Sequence, residues 1–231
     1  MRVLITGATG KVGSRLSKRP ALRGDRVRAL VRDPQRAVGL RDHHVEVVQG
    51  DLLDPSSLAA AVHGMDAIVH CAASYFHWAT FEQGHAVNDI GSKRLAELAS
   101  AARVRRFVFI STGLVYGGQG GRFANEDSVC TPSPGLFAGK LTVERALLAM
   151  DDLDVRILRF AFVYGDGDPH IDEVVPRMRA ALHRRTPTRL ARHLLPPICY
   201  SSRKITSNGG ANEKQEERGS LGYWRVSARG Q

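Results

Sequence analysis

The stretch Thr6-Gly7-Ala8-Thr9-Gly10-Lys11-Val12-Gly13 constrains this chain more than any other. It follows the apolar run Val3-Leu4-Ile5 and opens onto a segment able to form a helix. A buried strand, a turn with three glycines and a helix start together make a phosphate-binding site. Glycine admits positive φ and lets the backbone approach a ligand closely, while the first helical N–H groups and the helix dipole attract anions. The spacing is Gly-x-x-Gly-x-x-Gly, one residue different from the Gly-x-Gly-x-x-Gly fingerprint of simple dinucleotide folds.

The rest of the chain supplies the frame such a turn needs. Residues 3–6, 26–32, 45–49, 66–71, 105–111 and 155–160 read as strands, mostly as continuous apolar runs. Helical patterns separate them. One runs from Gly10 towards Arg23, where Pro20 predicts a kink or an early end. Asp54-Pro55 opens another. Residues 80–102 make a long one, with Gly84, Asn88, Gly91, Leu95, Leu98 and Ala102 along one face. Residues 139–150 and 171–184 follow, and 117–135 read as loop. Strands alternating with helices at this interval predict right-handed βαβ units and a doubly wound, mainly parallel α/β sheet of Rossmann-like type. Ligands of such sheets bind at the carboxyl ends of the strands. Residues 7–13, Arg32, Asp51, 72–78, 111–117 and 161–168 all fall there.

Composition bounds the partners. A chain of 231 residues can bury one sizeable core, and no apolar run approaches the ~18 residues of a membrane span. Met1-Arg2-Val3-Leu4-Ile5 enters the first strand directly, so no signal peptide is expected there. Cys71, Cys130 and Cys199 lack metal-ligand spacing and read as reduced thiols of a cytoplasmic protein, with no metal site expected. The formal net charge is +10, but residues 1–176 hold 21 Lys/Arg against 20 Asp/Glu, whereas residues 177–231 hold 12 against 3. The basic excess is a property of the last quarter, which lacks the regular aromatics of a nucleic-acid stacking platform. Nucleic acid is therefore not the expected partner, a small-molecule substrate is, and a homodimer is left open.

Taken together, the motifs resemble the extended short-chain dehydrogenase/reductase superfamily, its NAD-dependent epimerase/dehydratase group. Thr6 to Gly13 matches the TGxxGxxG cofactor loop, and Gly50-Asp51-Leu52 the segment whose Asp hydrogen-bonds adenine. Cys71-Ala72-Ala73 stands where strand four meets the cofactor, and Asn88-Asp89-Ile90-Gly91 resembles the VNVxGT helix motif. Ser111-Thr112-Gly113-Leu114-Val115-Tyr116-Gly117 resembles the SS-x-x-VYG active-site strand, and Arg159 through Val163-Tyr164-Gly165 the RP-x-x-VYG segment. The stretch from Ala72 through Trp78 is more like the dihydroflavonol-reductase-like branch.

The resemblance implies an NAD(P)-dependent oxidoreductase or epimerase/dehydratase acting by hydride transfer on a small carbonyl, hydroxyl or sugar-like substrate. Gly7, Thr9, Gly10, Lys11, Val12 and Gly13 would hold the pyrophosphate, Arg32, Asp51 and Leu52 the adenosine half, and Ala72 and Ala73 the middle of the cofactor. At the end of strand two an acidic residue would bind a ribose 2′-hydroxyl. Arg32 suits a 2′-phosphate instead, which favours NADP, with Asp33 keeping NAD open. Thr112 falls on the position that hydrogen-bonds the reacting oxygen, and Lys140 on the lysine that serves both chemistry and ribose.

Two departures stand out. The active-site tyrosine precedes the lysine by four residues in this family, and Leu136 occupies that place. Leucine moves no proton, so the chain is either catalytically impaired, an NAD(P)-binding or redox-sensing protein, or relies on a bound water or Tyr116. Loss of a general acid costs ~10²–10⁴ in rate. Secondly, the resemblance fades near residues 185–192. The expected layout is a cofactor domain over 1–170, a remnant of the substrate part over 171–192 and an irregular basic tail over 193–231. A truncated chain ending in an out-of-frame stretch is the expectation for that tail. His77, Trp78, Phe81 and His85 are candidates for lining the substrate pocket.

Overall fold

Six parallel strands form one sheet in the order β3-β2-β1-β4-β5-β6, in a computed structural model that describes residues 1–74, 81–118, 124–161 and 163. The strands are β1 (Arg2–Thr6), β2 (Arg26–Val31), β3 (Glu46–Gln49), β4 (Ala67–His70), β5 (Arg106–Thr112) and β6 (Asp154–Phe160). The helices are α1 (Lys11–Leu22), α2 (Val38–Arg41), α3 (Pro55–Val62), α4 (Phe81–His85), α5 (Ser92–Ala101) and α6 (Leu136–Leu148). The order reverses at β1, so β1 and β4 flank the switch point where open α/β sheets take their ligands. The doubly wound Rossmann-like expectation holds. The expectations for residues 171–231, and for His77, Trp78 and Tyr164, lie outside the described residues.

Strand alternation divides the core between two faces. On β1, Leu4 joins Leu58, Ile68, Leu95, Phe107, Phe109, Val143 and Leu147 beneath α3, α5 and α6. Val3 and Ile5 point the other way, among Val27, Ala29, Val31, Ala37, Leu40 and Val45. Burial of β1 and of the middle of β4 and β5 on both faces explains why these strands read largely as apolar runs.

Local chemistry accounts for most boundaries. Asp54 caps α3, accepting from the N–H groups of Ser56 at 3.0 Å and Ser57 at 3.3 Å, with Pro55 at the first helical position. Three expectations need correction. Helix α1 continues through Pro20 to Leu22, the proline forfeiting a single backbone bond, the one to the Leu16 carbonyl, close to the end of the helix. Helix α6 begins at Leu136, three residues before the expected start, since Gly135 with φ 92° sets the turn immediately ahead of it. The long helix before β5 contains a π-helical turn, Ala86–Gly91, between α4 and α5, a distortion that a 3.6-residue periodicity does not reveal.

Candidate active site

Parallel strands bring the candidate residues to one edge, and the three glycines of the first turn divide into two kinds. Gly7 has φ +64°, and a Cβ there would lie 2.6 Å from Ala72 N and 2.7 Å from Ala72 Cα. A Cβ on Gly13 would collide with the Gly7 carbonyl oxygen. Both are needed for packing, one joining the loop to the end of β4 and the other seating α1 on the loop. Gly10 is exposed, and a Cβ there would meet only Gly7 O, at 3.2 Å. Its N–H donates to Gly7 O at 2.9 Å, and its carbonyl accepts the first bond of α1 from Ser14 N–H at 2.9 Å. The N–H groups ahead of Ser14 make no bond within the helix and stand at the positive end of its dipole. Thr9 and Val12 are half-buried around this opening and Lys11 is exposed. A phosphate or pyrophosphate fits a cradle of this kind.

At the ends of β2 and β3 the polar side chains have unequal freedom. Asp33 Oδ1 accepts from Gln35 N–H at 2.9 Å and so caps the next turn. Arg32, one residue past β2, is exposed and has no ion-pair partner among the described residues. Asp51 Oδ1 accepts from Leu53 N–H at 2.9 Å, and Asp51 N–H donates to Ser57 Oγ at 3.1 Å. Leu52 is buried against Gly91, where a Cβ would come within 2.9 Å of Leu52 Cβ. Its contact is therefore with the π turn. Ala72 and Ala73 are half-buried just beyond β4.

Sequence reading passed over the polar chain that ties this loop to the helices. Thr6 Oγ1 lies 2.6 Å from His70 Nδ1, and His70 Nε2 lies 2.8 Å from Ser92 Oγ. Ser92 Oγ donates to Asn88 O at 2.8 Å, and Ala72 N–H donates to Thr6 Oγ1 at 3.3 Å. These bonds assign the proton of a neutral His70 to Nε2. Burial holds its pKa down at about 3, with the Lys140 charge adding to the effect. Asn88 then clamps Ser74, Oδ1 accepting from its N–H at 2.7 Å and Nδ2 donating to its carbonyl at 2.7 Å. The signal in the sequence was a histidine inside the apolar run Asp66-Ala67-Ile68-Val69-His70-Cys71.

The ends of β5 and β6 carry the candidate chemistry. Thr112 is half-buried, and its Oγ1 accepts from Leu114 N–H at 3.2 Å, leaving the hydroxyl proton to donate. Lys140 is 9 % exposed, donates to Ile110 O at 3.0 Å and lies 4.6 Å from the centre of the Phe109 ring. Burial lowers its pKa to about 8, against the opposing influence of Cys71 and Glu144. Leu136, one turn before it on α6, is half-buried. Ser111 Oγ is buried without a hydrogen-bond partner among the described residues.

Tyr116 is held in a buried clamp with Arg159 and Glu144. It is buried, its hydroxyl accepts from Arg159 Nη1 at 2.7 Å, and the guanidinium lies 4.8 Å from its ring centre. Burial raises its phenol above the ordinary value despite Arg159. Arg159 in turn grips Glu144, with Nη2 at 2.7 Å and Nε at 3.0 Å from Oε2. Glu144 is 1 % exposed, so this is a buried ion pair that fixes Tyr116, α6 and β6 together. Of the other pocket candidates, His85 is exposed and stands 3.6 Å from Asp89.

The arrangement matches known proteins. A family model described as the NAD dependent epimerase/dehydratase family matches residues 3–197. The chain belongs to this family. Among curated members, the 3 beta-hydroxysteroid dehydrogenase/Delta 5-->4-isomerase of Mycobacterium tuberculosis is 34% identical over 182 residues, covering 72% of this chain and 48% of the relative. The chain thus spans about half the length of that relative. Among solved structures, a short-chain dehydrogenase/reductase superfamily protein from Agrobacterium tumefaciens with bound NAD is 29% identical with a TM-score of 0.65, covering 79% of this chain and 60% of that one. MoeE5, solved with UDP-glucose and NAD, is 30% identical with a TM-score of 0.66, covering 80% and 62%. No described helix is long and apolar enough to cross a membrane.

Proposed function

We propose that this chain binds a nicotinamide dinucleotide, NADP ahead of NAD, and moves a hydride between it and a carbonyl or hydroxyl of a small or sugar-like molecule. The observation that carries this reading is the exposed Gly10 at the start of α1, on the same sheet edge as Thr112 and Lys140. When bound, the dinucleotide supplies or accepts the hydride. The backbone N–H groups of residues 11–13 hold the pyrophosphate. Asp51 and Arg32 hold the adenosine half, with Arg32 placed for a 2′-phosphate because Asp33 is occupied in its cap. The Thr112 hydroxyl donates to the reacting oxygen, and Lys140 stands on the ribose side. The relatives divide between a steroid enzyme and a complex with a nucleotide sugar, so both substrate classes belong in the first screen. Reduced thiols at Cys71 and Cys130 agree with a cytoplasmic setting, and a homodimer fits the same reading.

Fluorescence titration with NADPH and NADH tests the proposal. NADPH is expected to bind at least tenfold more tightly, the effect of one charge-assisted hydrogen bond of about 1.5–3 kcal/mol, and Arg32→Gln is expected to remove the difference. Binding of neither nucleotide overturns the reading. A second reading, a cofactor-binding protein without turnover, is favoured by Leu136 alone. Turnover appearing only in Leu136→Tyr would select it.

A further inference from the structure

Resting on that proposed function, we propose that Lys140 itself delivers the proton that the family's tyrosine would deliver, so that Leu136 leaves a lysine-driven reductase. The geometry argues by elimination. Among the described residues at this edge, Tyr116 is buried, its phenol raised above the ordinary value and its hydroxyl oxygen held by Arg159, and Glu144 is gripped by the same guanidinium. Both ring nitrogens of His70 are engaged, by Thr6 and Ser92. The Cys71 thiol is held to about 12 by burial, with Lys140 acting against the shift. Lys140 Nζ has three donors, and Ile110 O is the acceptor that the fold provides. Its side chain tilts towards the start of α6, over the turn that begins with Leu136, as helical side chains do. Near the end of β5 the buried Ser111 Oγ has no partner among the described residues, an opening for the polar atom of a ligand or a water.

The step balances. The electron pair and hydrogen added to the carbonyl carbon come from the reduced nicotinamide. One N–H bond of Lys140 breaks as the O–H bond of the new alcohol forms, and solvent returns a proton to the neutral amine. The groups facing Lys140 support its titration in this role. On α6, Glu144 is neutralised by Arg159 of β6. On β4, His70 is neutral, and Cys71 remains a thiol where Lys140 titrates. The ammonium therefore sits on Phe109 with little anionic support, which is why burial can lower it to about 8 and bring it near the working range of a general acid.

The test joins a titration to a rescue. The ¹³Cε resonance of Lys140 in lysine-labelled wild-type protein with NADPH bound, assigned by its absence in Lys140→Arg, should show a midpoint near 8, as burial implies. Reduction of 9,10-phenanthrenequinone by NADPH should lose kcat above that same midpoint, because the acid must be protonated. Lys140→Ala should keep the circular dichroism spectrum of the wild type, showing that it folds, yet lose ~10²-fold or more in kcat at saturating NADPH, and ethylammonium in the buffer should restore part of the loss. A merely structural lysine is not replaced by a free amine. A midpoint at the ordinary lysine value, full turnover in Lys140→Ala, or absence of quinone reduction while NADPH still binds would each overturn the proposal. Failure of wild type to bind NADPH would overturn the functional reading beneath it.

Discussion

The halves of the sheet on either side of the β1–β4 switch hold their candidate sites by different means. Around β1–β3 the site is made of backbone and of missing side chains: Gly7 and Gly13 exist so that main chains can touch, and Gly10 leaves an opening. Around β4–β6 it is made of buried polar side chains: His70 between two hydroxyls, Lys140 on an aromatic ring, and Glu144 against Arg159. A backbone site is lost when a methyl group is added. A side-chain site can take Leu136 where the family's tyrosine is expected while the fold around it stays intact. The two halves are therefore open to change independently.

The largest effect that would test this contrast lies in the side-chain half. Glu144→Ala leaves the Arg159 guanidinium buried without its anion and should cost about 3–5 kcal/mol, measured by urea unfolding. A loss under about 1 kcal/mol would mean that the pair is not the clamp described, since that is the scale of exposed pairs. In the backbone half, Gly13→Ala drives a methyl group into the Gly7 carbonyl and should cost about 1–3 kcal/mol as an overpacked site, with NADPH binding falling in parallel.

Acid sensitivity comes next. His70 has a folded pKa of about 3 against an ordinary 6.5, so the unfolded chain binds its proton first as pH falls. Stability should be at its full value above about pH 6.5 and decline towards pH 3 at up to ~1.4 kcal/mol per pH unit from this group. Thermal melts of His70→Gln should lack that slope, and an unchanged slope would place the acid sensitivity elsewhere. The smallest effect on the fold is the sharpest on function. Gly10→Ala meets one atom at 3.2 Å, so the melting temperature should stay within about a degree, since surface changes of this kind fall within ±0.5 kcal/mol. NADPH affinity should drop roughly tenfold or more, because the added methyl group occupies the anion's approach. Equal losses in melting temperature and affinity would erase the distinction between packing glycines and the ligand-facing one.

The same contrast explains what could be read in advance. The doubly wound parallel sheet and its shared edge followed from apolar runs alternating with helical patterns and from glycine spacing, because period and backbone conformation are local properties of the sequence. Thr112 and Lys140 were singled out by the family resemblance, through their alignment with Val115-Tyr116-Gly117, and their roles rest on the proposed function. The early start of α6 was not, because it depends on a positive φ at Gly135 rather than on apolar spacing. The partners of Tyr116 were hidden as well. Arg159 is 43 residues away from it and Glu144 is 15 residues from Arg159, and no local pattern announces a contact that the sheet alone creates. His70 was visible as an odd residue in an apolar strand, but its two hydroxyl partners come from β1 and from the start of α5.

The π turn at Ala86–Gly91 has a consequence for how this region tolerates insertions and deletions. A π turn is an α-helix carrying one extra residue. Deleting a single codon within it would relax the helix to ordinary pitch without breaking it, and because the turn absorbs the extra residue the segments on either side would stay in register. The change would be confined to the turn itself, where Asn88 holds Ser74 through its side chain and accepts from Ser92 Oγ through its carbonyl, while the helix remained intact to any measure of helical content. Such a one-residue indel is a frame-preserving change that should spare secondary structure and still uncouple the loop after β4 from the body of the protein.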